Sequence, residues 1–184
     1  LMKFINILIV FCLLSFLSCT KKEEKVEIII DDVIETQMLE SYKKGLKALE
    51  DGDALYAARH FTDAELLFPQ SEWAPKSLLM AAYSYYSQDY YADAIAELER
   101  FIKTYPQSNR LDYAYFLLAT CYYEKIIDEK KDLEPLIKAK ETFKFVIQEY
   151  PSTDFALDAK FKLDLIDETL AGKELSLIHI SEPT

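Results

Sequence analysis

Glycine occurs three times and proline six times in 184 residues. A multi-stranded sheet with tight turns needs many positions of positive φ, which glycine normally fills, so this scarcity favours helices. Histidine is as scarce. His60 and His179 are the two present, and they assemble no His-x-x-x-His pair, no His–Cys cluster and no nucleophile–base arrangement. No glycine-rich phosphate loop occurs either. Acidic clusters such as Asp128-Glu129 and Glu23-Glu24 have no cleft partner to shift them and read as solvated faces. The sequence therefore predicts no enzyme, no metal site and no cofactor. Positive charge is in deficit: Lys+Arg 21 against Asp+Glu 32 leaves a net charge of -11. Repulsion from phosphate backbones then excludes nucleic acid as a partner. The three cysteines, Cys12, Cys19 and Cys121, provide no disulfide framework. Cys121 lies among Leu117, Leu118, Tyr122 and Tyr123 and reads as a small buried thiol.

The chain is rich in apolar side chains, 51% hydrophobic with 29% charged, which suits one compact domain or a short repeat array. Met2-Lys3 and the apolar run Phe4 to Leu17 have the basic start and brief hydrophobic core of a secretory signal, too short for a comfortable membrane span. Ser18-Cys19 closes that run in a way that resembles the lipobox of bacterial lipoproteins, although Phe16 and Leu17 depart from the usual residues there. Residues 1–18 thus read as a signal peptide, Cys19 as the lipidated residue and 19–36 as a polar tether beginning Thr20-Lys21-Lys22-Glu23-Glu24-Lys25. Thr20 in place of Asp implies outer-membrane sorting by the same resemblance.

Internal repetition is the strongest signal. The stretches Phe68 to Ser71 (FPQS), Tyr105 to Ser108 (YPQS) and Tyr150 to Thr153 (YPST) align. Ala57, Ala94 and Ala139 each lie twelve residues before the proline of their unit, and four residues on stand Phe61, Leu98 and Phe143. This is the A-x3-F…P half of a tetratricopeptide repeat. Gly45, Ala82 and Ala119 take the small-residue position of the first helix, where close helix contact is needed. The prolines are 37 and then 45 residues apart, so the third unit carries eight more residues than the second, read as a loop over Ile126 to Pro135. The predicted fold is an all-α solenoid of antiparallel helix pairs: repeats at 37–73, 74–110 and 111–153, then a lone helix at 154–174. That last helix carries the stripe Phe155, Ala159, Leu163, Ile166 and Leu170, and is expected to expose Phe155, Leu163 and Ile166 and so to fray or self-associate.

The segments SYKKGLKALEDGDALYAARHF, FPQSEWAPKSLLMAAYSYYSQDYYADAIAELERFIKTYPQSNRLDYAYF and AKETFKFVIQEYPSTDFALDAKFKLDLIDETLAGKE, with the lipobox, resemble the BamD family of tetratricopeptide lipoproteins. The resemblance covers about residues 2 to 174. It implies a subunit of the outer-membrane β-barrel assembly machine, lipid-anchored at the periplasmic face. Its partners would be BamA, the other Bam lipoproteins and the C-terminal peptides of unfolded barrel precursors. The family has five repeats, so the chain would hold three and part of a fourth, short of the repeats that mainly contact BamA. Leu1 stands before an initiator Met2, and Leu175 to Thr184 (LSLIHISEPT) resembles read-through of a sequencing adaptor. The alternative scaffold is the coordinator of the Tol–Pal system, whose units also carry a Tyr-Pro-x-Ser signature. Aromatic residues make up 14% of the chain. Positions of the first helices that face the groove of such a repeat array assign a peptide site to Tyr42, Tyr83, Tyr86, Tyr113, Phe116 and Tyr123. Tyr85 and Tyr122 are expected to pack between helices instead.

Overall fold

The computed structural model describes residues 24–128 and 133–181, with side-chain surroundings for 32–125 and 133–171. The signal segment, the lipidation candidate Cys19, the start of the tether, residues 129–132 and residues 182–184 lie outside the described residues. Among the described residues the regular elements are all helices: α1 Glu24–Glu50, α2 Ala54–Leu67, α3 Trp73–Tyr86, α4 Tyr91–Thr104, α5 Leu111–Asp128, α6 Glu134–Glu149 and α7 Asp154–Ser181. None is long and apolar enough to cross a membrane.

The chain divides into two units, residues 1–36 and 37–184. In the first, helix begins at Glu24, inside the segment read as a tether. No glycine or proline interrupts the chain between Thr20 and Gly45, and the Thr36 hydroxyl donates to the Asp32 carbonyl one turn back.

In the second unit one turn is used three times. α2, α4 and α6 stop two residues before Pro69, Pro106 and Pro151, because a residue preceding proline is pushed out of the helical region. The C-caps Phe68, Tyr105 and Tyr150 accordingly sit at φ -142, -121 and -125. The turn then closes alike each time: the amides of Ser71, Ser108 and Thr153 donate to the carbonyls of Phe68, Tyr105 and Tyr150 at 3.1, 3.0 and 3.1 Å. Within the pairs, the left-handed residue is Gly52 (φ 80) between α1 and α2 and Asp89 (φ 64) between α3 and α4, both types that tolerate that region. Asp53 then caps α2 by accepting from the Tyr56 amide at 3.0 Å.

Three apolar clusters fill the spaces between these helices. Ala57, Ala94 and Ala139, and with them Phe61, Leu98 and Phe143, are all fully buried. Amphipathic spacing puts them there: in α4, Ala94, Leu98 and Phe101 recur at four and three residues on the buried face. Tyr85 touches the first two clusters and Tyr122 the last two, so both pack between helices.

A carboxylate ties the first two pairs together. Glu65 on α2 is 3% exposed, yet it receives two bonds from the Arg100 guanidinium on α4, at 2.9 and 2.7 Å, and one from the Tyr105 hydroxyl at 3.0 Å. Arg100 also bonds Glu97. One turn register later Phe145 stands where Arg100 does, and it packs on Tyr115 and Tyr150 at centroid distances of 4.5 and 6.3 Å. The position that makes an ionic tie between pairs from the second pair thus makes an aromatic contact inside the third pair.

Two sequence expectations are corrected here. The segment read as a loop over Ile126 to Pro135 is helical at both ends, 126–128 closing α5 and 134–135 opening α6, with 129–132 outside the described residues; α5 has 18 residues where α3 has 14, and α6 has 16 where α4 has 14. A proline in the first turn of α6 suits its start. The stripe on α7 is also not exposed as expected. Ile166 and Ala159 are fully buried and Phe155 and Leu163 half-buried, because α7 packs on both α6 and α5. The exposed residues are Leu157, Phe161 (63%) and Leu165, on the neighbouring face. Helix α7 also runs on to Ser181, since no breaking pair of residues stops it.

Two substitutions test this packing. A Cβ on Gly45 would stand 2.9 Å from the Phe61 ring. Alanine's better helix propensity offers about 1 kcal/mol, but crowding a fully buried ring costs about 2–3 kcal/mol. Gly45→Ala should therefore lower stability by about 1–2 kcal/mol in urea unfolding; a gain would show that the Phe61 ring yields to the added methyl group. Glu65→Ala should cost about 2 kcal/mol, the loss of charge-assisted bonds to a partner that keeps some hydration.

Candidate functional site

A cavity of about 490 Å³ opens between α3, the turn before α5 and the start of α7. Its lining joins one stripe of α3 (Lys76, Leu79, Met80, Tyr83) to Arg110, Tyr113 and Phe155. The stripe follows from sequence, since 76, 79, 80 and 83 are spaced three, one and three residues apart on one helical face. The Ser108 to Arg110 turn is placed there by the Tyr105-Pro106 stop. Phe155 arrives from α7, one helix pair further along.

The rings extend well beyond the cavity. Tyr83 stands 6.3 Å from Tyr86, which stands 6.2 Å from Tyr91. Tyr113 packs on Phe155 at 5.3 Å, and Phe155 on Phe116 at 5.4 Å. Burial pushes the Tyr113 hydroxyl up to about 12 and raises Tyr86 in the same direction. Both are thus neutral near pH 7.

The six predicted groove residues are consequently not one cluster. Tyr83, 37% exposed, and Tyr113 line the cavity, and Tyr86 adjoins Tyr83. Phe116 lies beneath, against Phe155 and Phe143. Tyr123 is further along α5, where the Lys162 ammonium sits 4.9 Å from its ring centre and 3.6 Å from Glu124. Tyr42 is 7% exposed and packs edge-on against Phe61 and Trp73 at 5.1 and 5.2 Å. Lys76 joins that group, 4.4 Å above Trp73 and 5.6 Å from Tyr42. Position counting turns Lys76 toward the groove but leaves it out of the aromatic site; the Trp73-x-x-Lys76 spacing, one helical turn, is the signal for its seat on the ring. Phe155 was read as an exposed stripe residue and is a wall of the cavity instead.

No group of three metal-ligating side chains comes together among the described residues. His60 is half-buried, its Nδ1 3.5 Å from the Ser41 hydroxyl and 4.0 Å from Asp63, but that hydroxyl donates to the His60 carbonyl at 3.0 Å. Serine and aspartate thus both address the same ring nitrogen, which is not a relay geometry. Cys121 is fully buried, and desolvation pushes its thiol up to about 12. It should resist iodoacetamide at pH 8 in the folded protein and react once urea unfolds it, as read by peptide mass spectrometry; rapid labelling without urea would contradict this burial.

A family model described as YfiO, outer membrane lipoprotein, matches residues 34–182. The outer membrane protein assembly factor BamD of Caulobacter vibrioides is 38% identical over 136 residues, 74% of this chain and 45% of that protein. Its namesake in Rickettsia prowazekii is 34% identical over 136 residues, covering 74% and 54%. The chain spans about half the length of the curated relatives it matches. Among solved structures, the first tetratricopeptide domain of Spaghetti (RPAP3), bound to an HSP90 peptide, aligns with a TM-score of 0.56 at 20% identity, over 74% of this chain and 95% of that one. The TPR2AB domain of yeast Sti1 aligns at 0.59 and 16% identity, over 77% and 50%. These likenesses establish the fold as a tetratricopeptide array of helix pairs.

Proposed function

The chain belongs to the YfiO family of outer membrane lipoproteins, and from that membership we propose that it is a non-catalytic subunit of the machinery that assembles β-barrel proteins in the outer membrane. In this reading Cys19 carries the lipid and holds the repeats at the periplasmic face. BamA and the other Bam lipoproteins are its assembly partners. The name shared by its relatives, outer membrane protein assembly factor BamD, favours this role over a Tol–Pal coordinator.

The repeats also receive the C-terminal segments of unfolded barrel precursors, which end in an aromatic residue. The observation that carries this part is the cavity walled by Tyr83, Tyr113 and Phe155. Three rings around an apolar floor of Leu79 and Met80 suit an inserted aromatic side chain, which gains both buried area and edge-to-face contacts. A helix-pair scaffold suits the task because the walls come from separate pairs held in fixed register. Tyr86, Phe116, Tyr123 and Tyr42 take part by supporting or extending this wall.

Replacing Tyr83 and Tyr113 together by alanine should weaken binding of a synthetic precursor C-terminal peptide by about thirtyfold to a hundredfold, with each ring contributing about 1 kcal/mol or slightly more. Fluorescence anisotropy with the 184-residue chain measures this, and circular dichroism confirms that the variant is folded. Unchanged affinity would remove the cavity from the recognition site.

A further inference from the structure

The cavity has a charge that the rest of the chain does not. The protein carries -11 overall, yet two cations, Lys76 and Arg110, line this apolar space alongside the single acid Glu72. Neither cation is paired with a carboxylate among the described residues, whereas Arg100, Lys140 and Lys162 each are. Lys76 is instead held over Trp73 and Tyr42. An aromatic face attracts an ammonium without neutralising it, so the full positive charge stays available at the rim. Arg110 stands immediately before the N-terminus of α5. Its amide donates to the Ser108 hydroxyl at 3.3 Å.

An apolar, ring-walled space with two unneutralised cations complements a ligand that joins an aromatic side chain to a negative charge. A chain that ends on an aromatic residue is such a group, since its last residue carries both the ring and the free α-carboxylate. An internal segment of the same sequence carries the ring alone. We propose that Lys76 and Arg110 read the free terminal carboxylate of the bound chain, so that the site distinguishes a chain end from an internal aromatic stretch. This rests on the precursor-binding role proposed above and goes beyond it: the rings supply the hold, and the two cations supply the selection for a terminus. Neither cation is a buried partner, so the selection arises from charge placed at the rim and is sensitive to salt.

The test compares one synthetic peptide ending in Phe in two forms, as the free acid and as the C-terminal amide, binding the 184-residue chain at low and at physiological salt. The free acid should bind about fivefold to tenfold more tightly, with the gap narrowing as salt rises, as befits partly exposed ion pairs. The gap should vanish in the Lys76→Gln, Arg110→Gln double variant, which should still bind the amide as the unaltered chain does. Equal binding of acid and amide to the unaltered chain would overturn carboxylate reading while leaving the aromatic site in place. A gap that persists in the double variant would overturn the assignment to these two residues. Failure of both forms to bind at all would overturn the precursor-binding role and this inference with it.

Discussion

The close approach of the two helices in each pair is the constraint on which the rest depends. At Gly45, Ala82 and Ala119 the first helix offers almost no side chain, and Phe61, Leu98 and Phe143 of the second helix fill the space. In the first pair the fit is so tight that a single added methyl group meets the Phe61 ring at 2.9 Å. Rigid interiors transmit such contacts rather than absorb them. The spacing within a pair then sets where the next pair must lie, and so sets the wall spacing of a cavity whose residues come from three different pairs.

Stacking of successive pairs relies on polar ties between their helices. Between the first and second pairs a buried carboxylate is satisfied by three bonds from Arg100 and Tyr105. A buried charge is tolerable only when its acceptors are filled in this way. Between the second and third pairs the Tyr122 hydroxyl donates to Glu99 at 2.7 Å, while Phe145, Tyr115 and Tyr150 pack their rings within the third pair. The ionic junction favours one geometry, because displaced donors would leave Glu65 unpaired. The cavity lies where α7 brings Phe155 against Tyr113.

Much of this was legible in the chain. Recurrence of the Phe/Tyr-Pro turn at a steady distance from Ala57, Ala94 and Ala139 located the helix ends, because the residue before proline resists helix whatever surrounds it. Period and burial agreed in the A-x3-F positions for the same local reason. The candidate site was only partly legible. Position counting brought Tyr83 and Tyr113 to one cavity, but treated Tyr42 as equivalent to Tyr83, although one is sealed under Trp73 and the other is open. Counting within one helix cannot tell which neighbour covers a residue.

Sequence by itself determined the helical class, the repeat register, the turns and the burial of Cys121, because each depends on residues within about one helical turn or one repeat. Tertiary structure alone decided that the α7 stripe turns inward, that Phe155 becomes a wall, and that Lys76 and Arg110 share a rim although they belong to different pairs. Those outcomes depend on how far one helix pair is rotated against the next. That rotation is set by side chains distant in sequence, such as Glu65 and Arg100, whose meeting no local pattern encodes.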